Sequence, residues 1–222
     1  MPLAPASATS LVDQAIDGMR ALLASGEWPL GTRIPPEPAL AAALGVSRGT
    51  VREAVRALAH VGVLEVRRGD GTYVAATTEV EALMGRQAGR VDLAHLLEAR
   101  HMVEVQAAAL AAERRTEEDL ATLDAIARRR EEAVERRNRT AFVDADVELH
   151  VAVVAAAHNP LLLEIYGGLV QALRASIDQP AAEAVFGDVL AEEHDAVREA
   201  IRRGDPSAAA AAAADLLAHV AG

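Results

Sequence analysis

The chain has 222 residues, more than one small domain needs and comfortable for two. Hydrophobic residues make up 51% of it but aromatic residues only 2%, so a core must be built from Leu, Val, Ile and Ala, which favours packed helices over a large β-sandwich. There is no Cys, which excludes disulfide frameworks and thiolate sites, and a formal net charge of −11 would by itself argue against a DNA-binding protein.

The distribution of the charges changes that interpretation. Residues 1–78 contain 7 Arg and 7 acidic residues, whereas residues 79–222 contain 15 Arg and 26 acidic residues. The segment 45–72 is locally basic, with 5 Arg against 3 acidic residues. We therefore expect phosphate binding in this segment.

Two features bear on the compartment. Residues 1–10 lack the basic start and the apolar core of a signal peptide, and no stretch of about 18 uninterrupted apolar residues occurs elsewhere. We expect a cytoplasmic protein that does not contact a membrane.

The first third of the chain has the pattern of a helix-turn-helix. Ser10 is placed to cap a first helix that ends at Ser25-Gly26, and Pro35-Pro36 precedes a second helix over Glu37–Leu44. Gly45 breaks that helix, and Ser47 is placed to cap a third that runs to about Val61. Two short helices joined across a glycine predict a helix-turn-helix.

A change of period follows the third helix. Side chains of residues 63–68 alternate with period two, as in a strand, and Gly69-Asp70-Gly71 is a turn signal. Thr72-Tyr73-Val74 would form the second strand, so this segment predicts a β-hairpin. From Val80 onward the pattern is helical and predicts six or seven helices in an antiparallel bundle. The predicted fold is mostly α: a winged helix-turn-helix domain with a small hairpin wing over residues 8–76, a linker over 77–82 and an all-helical domain over 83–222.

Polar and basic side chains gather where a DNA-reading helix would begin. Ser47, Arg48, Thr50 and Arg52 occupy the first turns of the third helix, the part that reaches base edges in the major groove. Arginines there can bind guanine or phosphate, and hydroxyls suit phosphates. The alternative is a charged helix face that is simply solvated.

The run GVSRGTVREAVRALAHVGVLEVRRGDGTYV over residues 45–74, with PLGTRIPPEPALAAAL before it, resembles the GntR family of transcription regulators. That family commonly has Glu-Arg-Glu in the second helix, whereas this chain has Glu37-Pro38-Ala39, so one expected contact is missing and Arg33 or the wing would replace it. The predicted DNA-binding residues are Arg33, Ser47, Arg48, Thr50, Arg52, Arg56, Arg67, Arg68 and Gly69.

The second part resembles the FCD ligand-binding domain of the FadR-like branch of that family. Four segments carry the resemblance: DLAHLLEARHMVEVQAAALAAER (92–114), FVDADVELHVAVVAAAHNPLL (142–162), EEHDAVREAIRRGD (192–205) and the Ala-rich last helix. Metal-containing members of the branch hold a divalent ion with an Asp and a His one turn apart plus two later His residues, and an effector carboxylate binds beside it. The resemblance implies a small organic acid as effector.

By this resemblance the metal ligands in this chain would be Asp146, His150 and His194. The i, i+4 spacing of Asp146 and His150 puts both on one helix face. For the fourth position two alternatives stand: the register places Leu216 there and leaves water or effector to fill the site, or an offset helix brings in His219. Zn, Ni, Mn and Fe all suit such a mixed set. Without the resemblance, an Asp/His pair at this spacing is more often a plain hydrogen bond.

Three residues are candidates for the effector. Arg100 and Glu104, one turn apart, match an Arg and a Glu of FCD domains, so that Arg100 would face the cavity and bind a carboxylate; the alternative is an ordinary surface ion pair. Asn159, just before Pro160, is interpreted as a helix C-cap or as a ligand contact.

These features together predict a homodimeric regulator and not an enzyme. Its two recognition helices would bind a pseudo-palindromic, double-stranded operator, and the effector would release the DNA, so that the protein would act as a repressor, with activation as the alternative. A metal-dependent hydrolase that uses the Asp/His/His set, and a constitutive DNA binder with a vestigial sensor, are the competing hypotheses.

Overall fold

The computed structural model describes residues 10–176 and 191–221, with the side chains of 10–173 and 192–218. By its contacts the chain divides into two compact units, Met1–Leu83 and Met84–Gly222. Residues 8 and 9, at the start of the predicted DNA-binding domain, lie outside the described residues. Among the described helices, none combines the length and the apolar character needed to cross a bilayer.

The first unit contains the three predicted helices, α1 (Leu11–Ala24), α2 (Glu37–Leu44) and α3 (Arg48–Val61). Ser10 and Asp13 form a reciprocal capping box at the start of α1. Gly45, at φ 67°, ends α2 in the left-handed conformation that glycine adopts without steric cost. The helix-turn-helix prediction is confirmed.

The predicted wing is a two-stranded antiparallel sheet of β1 (Leu64–Arg67) and β2 (Gly71–Val74). Leu64 pairs with Val74 and Arg67 with Gly71, which fixes the register. Arg33 adds an isolated bridge to Tyr73, so the segment between α1 and α2 extends the wing on its second edge.

One apolar cluster holds the first unit together. Most of its most buried members come from α1, α3 and the wing, and Ala76 follows the wing, so burial of the amphipathic face of α3 sets the direction in which its polar face points. These members are Ala15, Met19, Leu23, Val51, Ala54, Leu58, Val63, Leu64 and Val74.

Helix α4 (Glu79–Ala88) spans the boundary between the two units and overlaps the predicted linker at 79–82. In its first turn, the carboxylate of Glu81 accepts hydrogen bonds from the backbone N–H of Thr77, at 2.7 Å, and from the Thr77 hydroxyl, at 2.6 Å. These bonds satisfy donors at the entry to the helix.

The described part of the second unit continues with six helices and no strand. They are α5 (Leu93–Arg114), α6 (Glu117–Glu135), α7 (Arg139–Ala156), α8 (Pro160–Ser176), α9 (Ala191–Arg203) and α10 (Pro206–Ala221). With α4, the described residues of this unit contain seven helices. Thr116 and Asp119 form a second capping box, at the start of α6.

Small side chains line the helix contacts of the second unit. Ala107, Ala108 and Ala111 on α5 and Ala209 on α10 are fully buried, which lets these helices approach closely. The Ala-rich run of α10 therefore contributes to a packing face. Larger side chains from α6, α7 and α9 fill the remaining space: Leu120, Leu123, Ile126, Leu149, Val153, Val197 and Ile201.

Candidate functional site

The N-terminal turn of α3 presents the polar face expected of a recognition helix. The Ser47 hydroxyl accepts a hydrogen bond from the Thr50 backbone N–H at 3.1 Å and lies 2.9 Å from the Thr50 hydroxyl. Arg48, Arg52 and Arg56 are exposed. The cap thus fixes where the helix begins, and the arginines extend from successive turns.

The Arg52 side chain is paired with a carboxylate. Its guanidinium donates three hydrogen bonds to the Glu37 carboxylate at the start of α2: Nη2 lies 2.9 Å from Oε2, and Nε lies 3.1 Å from Oε2 and 3.2 Å from Oε1. These hydrogen bonds lower the pKa of Glu37 and raise that of Arg52. Arg52 is thereby held at the start of α2, whose second residue, Pro38, stands where the family has Arg.

The wing arginines have different surroundings. The guanidinium of Arg67 lies 4.1 Å from the centre of the Tyr73 ring and 2.8 Å from the Glu65 carboxylate. Arg68 and Gly69 are exposed at the tip, where Gly69 has φ 77°. The exposed Arg33 side chain passes so close to Gly71 that a Cβ at position 71 would clash with Arg33 Nε.

In the second unit, the structure brings Asp146, His150 and His194 together in a buried cluster. One ligand atom from each of the three lies within 4.8 Å of the others. His194 Nε2 is 3.3 Å from Asp146 Oδ1 and 3.3 Å from His150 Nε2. In a tetrahedral site with metal–nitrogen bonds of about 2.0 Å, ligand atoms are about 3.3 Å apart, so these donors fit a divalent metal.

Glu104 orients one of these histidines. Its Oε2 lies 2.7 Å from His150 Nδ1, on the opposite side of the ring from the nitrogen that faces Asp146 and His194. A carboxylate on one ring nitrogen is the usual device that fixes the tautomer of a metal-binding histidine. Helices α5 and α7 therefore cooperate to present Nε2 to the cluster.

Three buried groups stabilise the Glu104 carboxylate. Arg100 Nε donates to Oε1 at 2.5 Å, and the Tyr166 hydroxyl donates to the same oxygen. Burial alone would raise the pKa of Glu104, but the Arg100 charge and the hydrogen bonds from His150 and Tyr166 hold it well below its ordinary value. Burial and the Glu104 charge raise the pKa of Tyr166.

The surface ion-pair interpretation of Arg100 and Glu104 is therefore wrong. Arg100 is 6% exposed and Glu104 4%, because both lie on the inward face of α5. Burial alone would lower the pKa of Arg100, but the Glu104 charge raises it above its ordinary value. Glu104 lines the adjacent cavity. Arg100 contacts Glu104 but does not itself line that cavity.

A second buried arginine lies against the cluster. Arg130, on α6, donates from Nε to Asp146 Oδ1 at 2.8 Å, and its guanidinium lies 4.6 Å from the Phe142 ring centre. Hydrogen-bonded carboxylates are common among metal ligands, so this contact leaves the fit intact. Its positive charge nevertheless opposes a divalent cation.

A small cavity opens beside the two histidines. It is lined by Glu104, Leu149, His150, Val153, His194, Val197, Arg198, Ala213 and Leu216. The space that the centre of a water molecule can reach is about 20 Å³, enough for one water or one ion. Leu216, buried on α10, lines this cavity, while the side chain of His219 lies outside the described residues.

The interpretation of Asn159 as a C-cap is wrong. Helix α7 ends at Ala156 with Ala157 as its cap, and the Asn159 side chain instead accepts a hydrogen bond from Leu162 N at 3.3 Å, at the start of α8. Asn159 is exposed and does not line the cavity. His158, at φ 48°, lies 2.7 Å from the Asp119 carboxylate and is a helix-end residue.

Three residues of the site were absent from the sequence-based set: Arg130, Tyr166 and Arg198. Arg130 interrupts the apolar face of α6, three and four residues after Ala127 and Ile126, and a charge in an apolar stripe was a usable signal. Arg198 follows His194 by one turn on α9. Tyr166 gave no comparable signal, because its partner Glu104 is 62 residues away.

Comparison with known proteins agrees with this geometry. A family model for bacterial regulatory proteins of the gntR family matches residues 11–74, and a model for the FCD domain matches residues 95–219. The chain is similar to a protein of Escherichia coli K12 provisionally assigned as the L-lactate dehydrogenase operon regulator, with 33% identity over 95% of this chain and 83% of that protein. It is also similar to the galactonate operon transcriptional repressor of the same strain, with 30% identity over 87% of each chain.

Among solved structures, a GntR protein of Streptococcus agalactiae has 28% sequence identity and a TM-score of 0.57, over 95% of this chain and 98% of that one. McbR/YncC of E. coli, at 23% identity and a TM-score of 0.51 over 95% of each chain, shares the fold.

Proposed function

The chain belongs to the GntR family of bacterial transcription regulators and carries an FCD domain, and on that premise we propose that it is a repressor whose operator binding is controlled by a small carboxylate and a divalent metal. It is a DNA-binding regulator and not an enzyme, which removes the hydrolase hypothesis. The observation that carries the proposal is the buried cluster of Asp146, His150 and His194 beside a cavity.

The DNA-binding half of the proposal depends on α3 and the wing. A homodimer would place two copies of α3 in successive major grooves of a pseudo-palindromic operator, with Arg48 at base edges and Ser47 and Thr50 at phosphates. Because Arg52 is paired with Glu37, it either positions α3 against α2 or exchanges Glu37 for phosphate. Arg33, Arg56, Arg67, Arg68 and Gly69 would contact the flanking backbone.

The sensing half depends on the second unit. Asp146, His150 and His194 would hold the metal, with Glu104 and Arg130 orienting two of them. The metal would supply a Lewis-acidic partner for the effector's carboxylate. The names of two relatives point to lactate and galactonate operons, and both compounds are hydroxy acids, which favours a carboxylate effector. Arg100 would act on the effector site through Glu104. Asn159 does not line the cavity, and we assign it no part in effector binding.

Selection from a random duplex library tests the DNA-binding half. The full-length protein should enrich a pseudo-palindromic sequence, and Arg48→Ala should weaken binding to it by about 1–3 kcal/mol. Arg128→Ala, which removes the same charge from an exposed position of the second unit, is the matched control and should bind normally. Failure to enrich any sequence, or equal binding by the Arg48 variant, would contradict this half.

Elemental analysis of protein purified without chelator or affinity metal tests the sensing half. We expect about one equivalent of metal per chain in the wild type and its loss in His150→Ala. The absence of metal from both would favour the constitutive DNA binder with a vestigial sensor.

A further inference from the structure

Arg198, on α9, lines the cavity beside His150 and His194. It lies one turn after His194, on the same helix face, and it lines the cavity together with Glu104 and His150. Its side chain is 21% exposed, so it lies where the cavity meets the surface. The position is that of a group that a ligand meets on entry.

The guanidinium of Arg198 is incompletely paired within the described part of the chain. Nη2 contacts the exposed Asp195 at 3.0 Å and Nη1 lies 3.8 Å from Asp124, but Nε is buried and has no hydrogen-bond acceptor. A buried donor without an acceptor costs free energy. An oxygen supplied by a ligand would remove that cost.

The charges around the cavity favour an anion at this point. The Glu104 carboxylate is matched by Arg100, so it does not compete for Arg198. The rest of the cavity wall, apart from the two histidines, is apolar: Leu149, Val153, Val197, Ala213 and Leu216. Arg198 is thus the one permanently cationic group among the described residues that line the cavity.

We propose that Arg198 binds the carboxylate of the effector, and that the effector is a short monocarboxylate. This assignment rests on the proposed function and adds to it the anchoring residue and the size class of the ligand. A second carboxylate, or the many hydroxyls of a sugar acid, would face apolar side chains without partners. The cavity has room for little more than one water, so each further carbon of the acid would require the surrounding side chains to move apart.

Isothermal titration calorimetry on the full-length protein, in chelator-treated and zinc-loaded forms, tests the assignment with acetate, L-lactate and D-galactonate as probes. Arg198→Gln should bind acetate and L-lactate about tenfold or more weakly than the wild type, because it loses a charge-assisted hydrogen bond. Arg202→Gln is the matched control: Arg202 also pairs with Asp124, does not line the cavity and should keep wild-type affinity.

Two further measurements separate a ligand contact from a structural role. Arg198→Lys, which keeps the charge without the planar fork, should fall between the wild type and the Gln variant. L-lactamide, the neutral analogue, should discriminate less between the wild type and Arg198→Gln than L-lactate does. A loss shared equally by both probes would overturn the assignment.

The outcomes distinguish this assignment from the proposed function. Equal affinity of the wild type and Arg198→Gln for L-lactate overturns the assignment and leaves carboxylate sensing intact. Tighter binding of D-galactonate than of acetate and L-lactate overturns the size class. If the wild type binds none of the three probes, the assignment and the carboxylate part of the proposed function fall together, while operator binding stands.

Discussion

Glu104 carries its negative charge in the interior of the second unit, where Arg100, His150 and Tyr166 all contact it. The arrangement joins α5, α7 and α8 through one carboxylate. An uncompensated charge at such a depth is costly, so each partner is needed for the others to stay buried. The residue therefore links the stability of the bundle to the orientation of His150.

Glu104→Gln should destabilise the protein by about 3–5 kcal/mol, because it leaves the Arg100 charge buried without its partner. Urea unfolding followed by circular dichroism measures the change. Glu132→Gln is the control: Glu132 pairs with Arg136 at 3.3 Å on the exposed surface of α6 and should change stability by less than about 1 kcal/mol. Equal effects of the two variants would contradict the account of the buried network.

The lowered pKa of Glu104 sets the direction of the pH dependence. The folded-state pKa lies below the ordinary value of 4.5, so the stability that the carboxylate contributes is present above that pH and is lost as the pH falls through the folded-state pKa. Between about pH 5 and pH 2, the free energy of unfolding should therefore fall more steeply in the wild type than in Glu104→Gln. Parallel slopes in urea titrations across this range would show that the carboxylate is not stabilised in the folded state.

In the wing, Gly71 occupies a position where a larger residue would be strained. Gly71 has φ 144°, in a region that other residues rarely adopt, and the Arg33 side chain lies directly over it. Gly71→Ala should destabilise the protein by about 1–3 kcal/mol and displace Arg33, which lowers affinity for DNA.

Gly26→Ala separates the two effects of that change. Gly26 also has a positive φ, 75°, but open space surrounds the position of its Cβ, so the substitution introduces strain without displacing a neighbour. This control should lose stability and keep its affinity for a selected duplex. If Gly71→Ala kept full affinity as well, Arg33 would have no part in DNA binding.

Local signals explain why the elements of the first unit could be predicted. The cap at Ser47, the break at Gly45 and the period-two run before Gly69 each act within a few residues of the structure they specify. The same holds for the capping box at Thr116. Asn159 was assigned to the wrong helix because a residue between two helices can cap either one, and only the bond to Leu162 decides it.

The site was predictable only in part, for a related reason. The one-turn spacing of Asp146 and His150 is a property of one helix and was visible in the sequence. Arg130 reaches Asp146 from another helix, and Tyr166 reaches Glu104 across 62 residues. Such contacts depend on how helices pack, which spacing along the chain does not record.

At the scale of the whole molecule, the charge is divided between the two parts of the chain. The net charge of −11 comes from residues 79–222, while residues 1–78 balance 7 Arg against 7 acidic residues. Five of the seven Arg of residues 1–78 lie on α3 and the wing, where an electrostatic contribution to DNA binding is expected to weaken with salt. The acidic remainder suits a unit that is not in contact with phosphates.

Allosteric control requires that the two units influence each other's ligands. If a carboxylate binds more tightly to the form of the protein with low affinity for DNA, its binding weakens operator affinity. Bound DNA then weakens affinity for the carboxylate by the same factor. The coupling is typically about 1–3 kcal/mol, which corresponds to a change of roughly 5- to 150-fold in operator affinity.

Fluorescence anisotropy of a selected operator duplex tests this account most directly, with chelator-treated and zinc-loaded protein and with increasing acetate or L-lactate. We predict that the acid weakens DNA binding by about fivefold or more in the zinc-loaded wild type, and that the effect disappears after chelation and in His194→Ala. Operator affinity that is the same with and without acid, in both forms of the protein, would contradict the account.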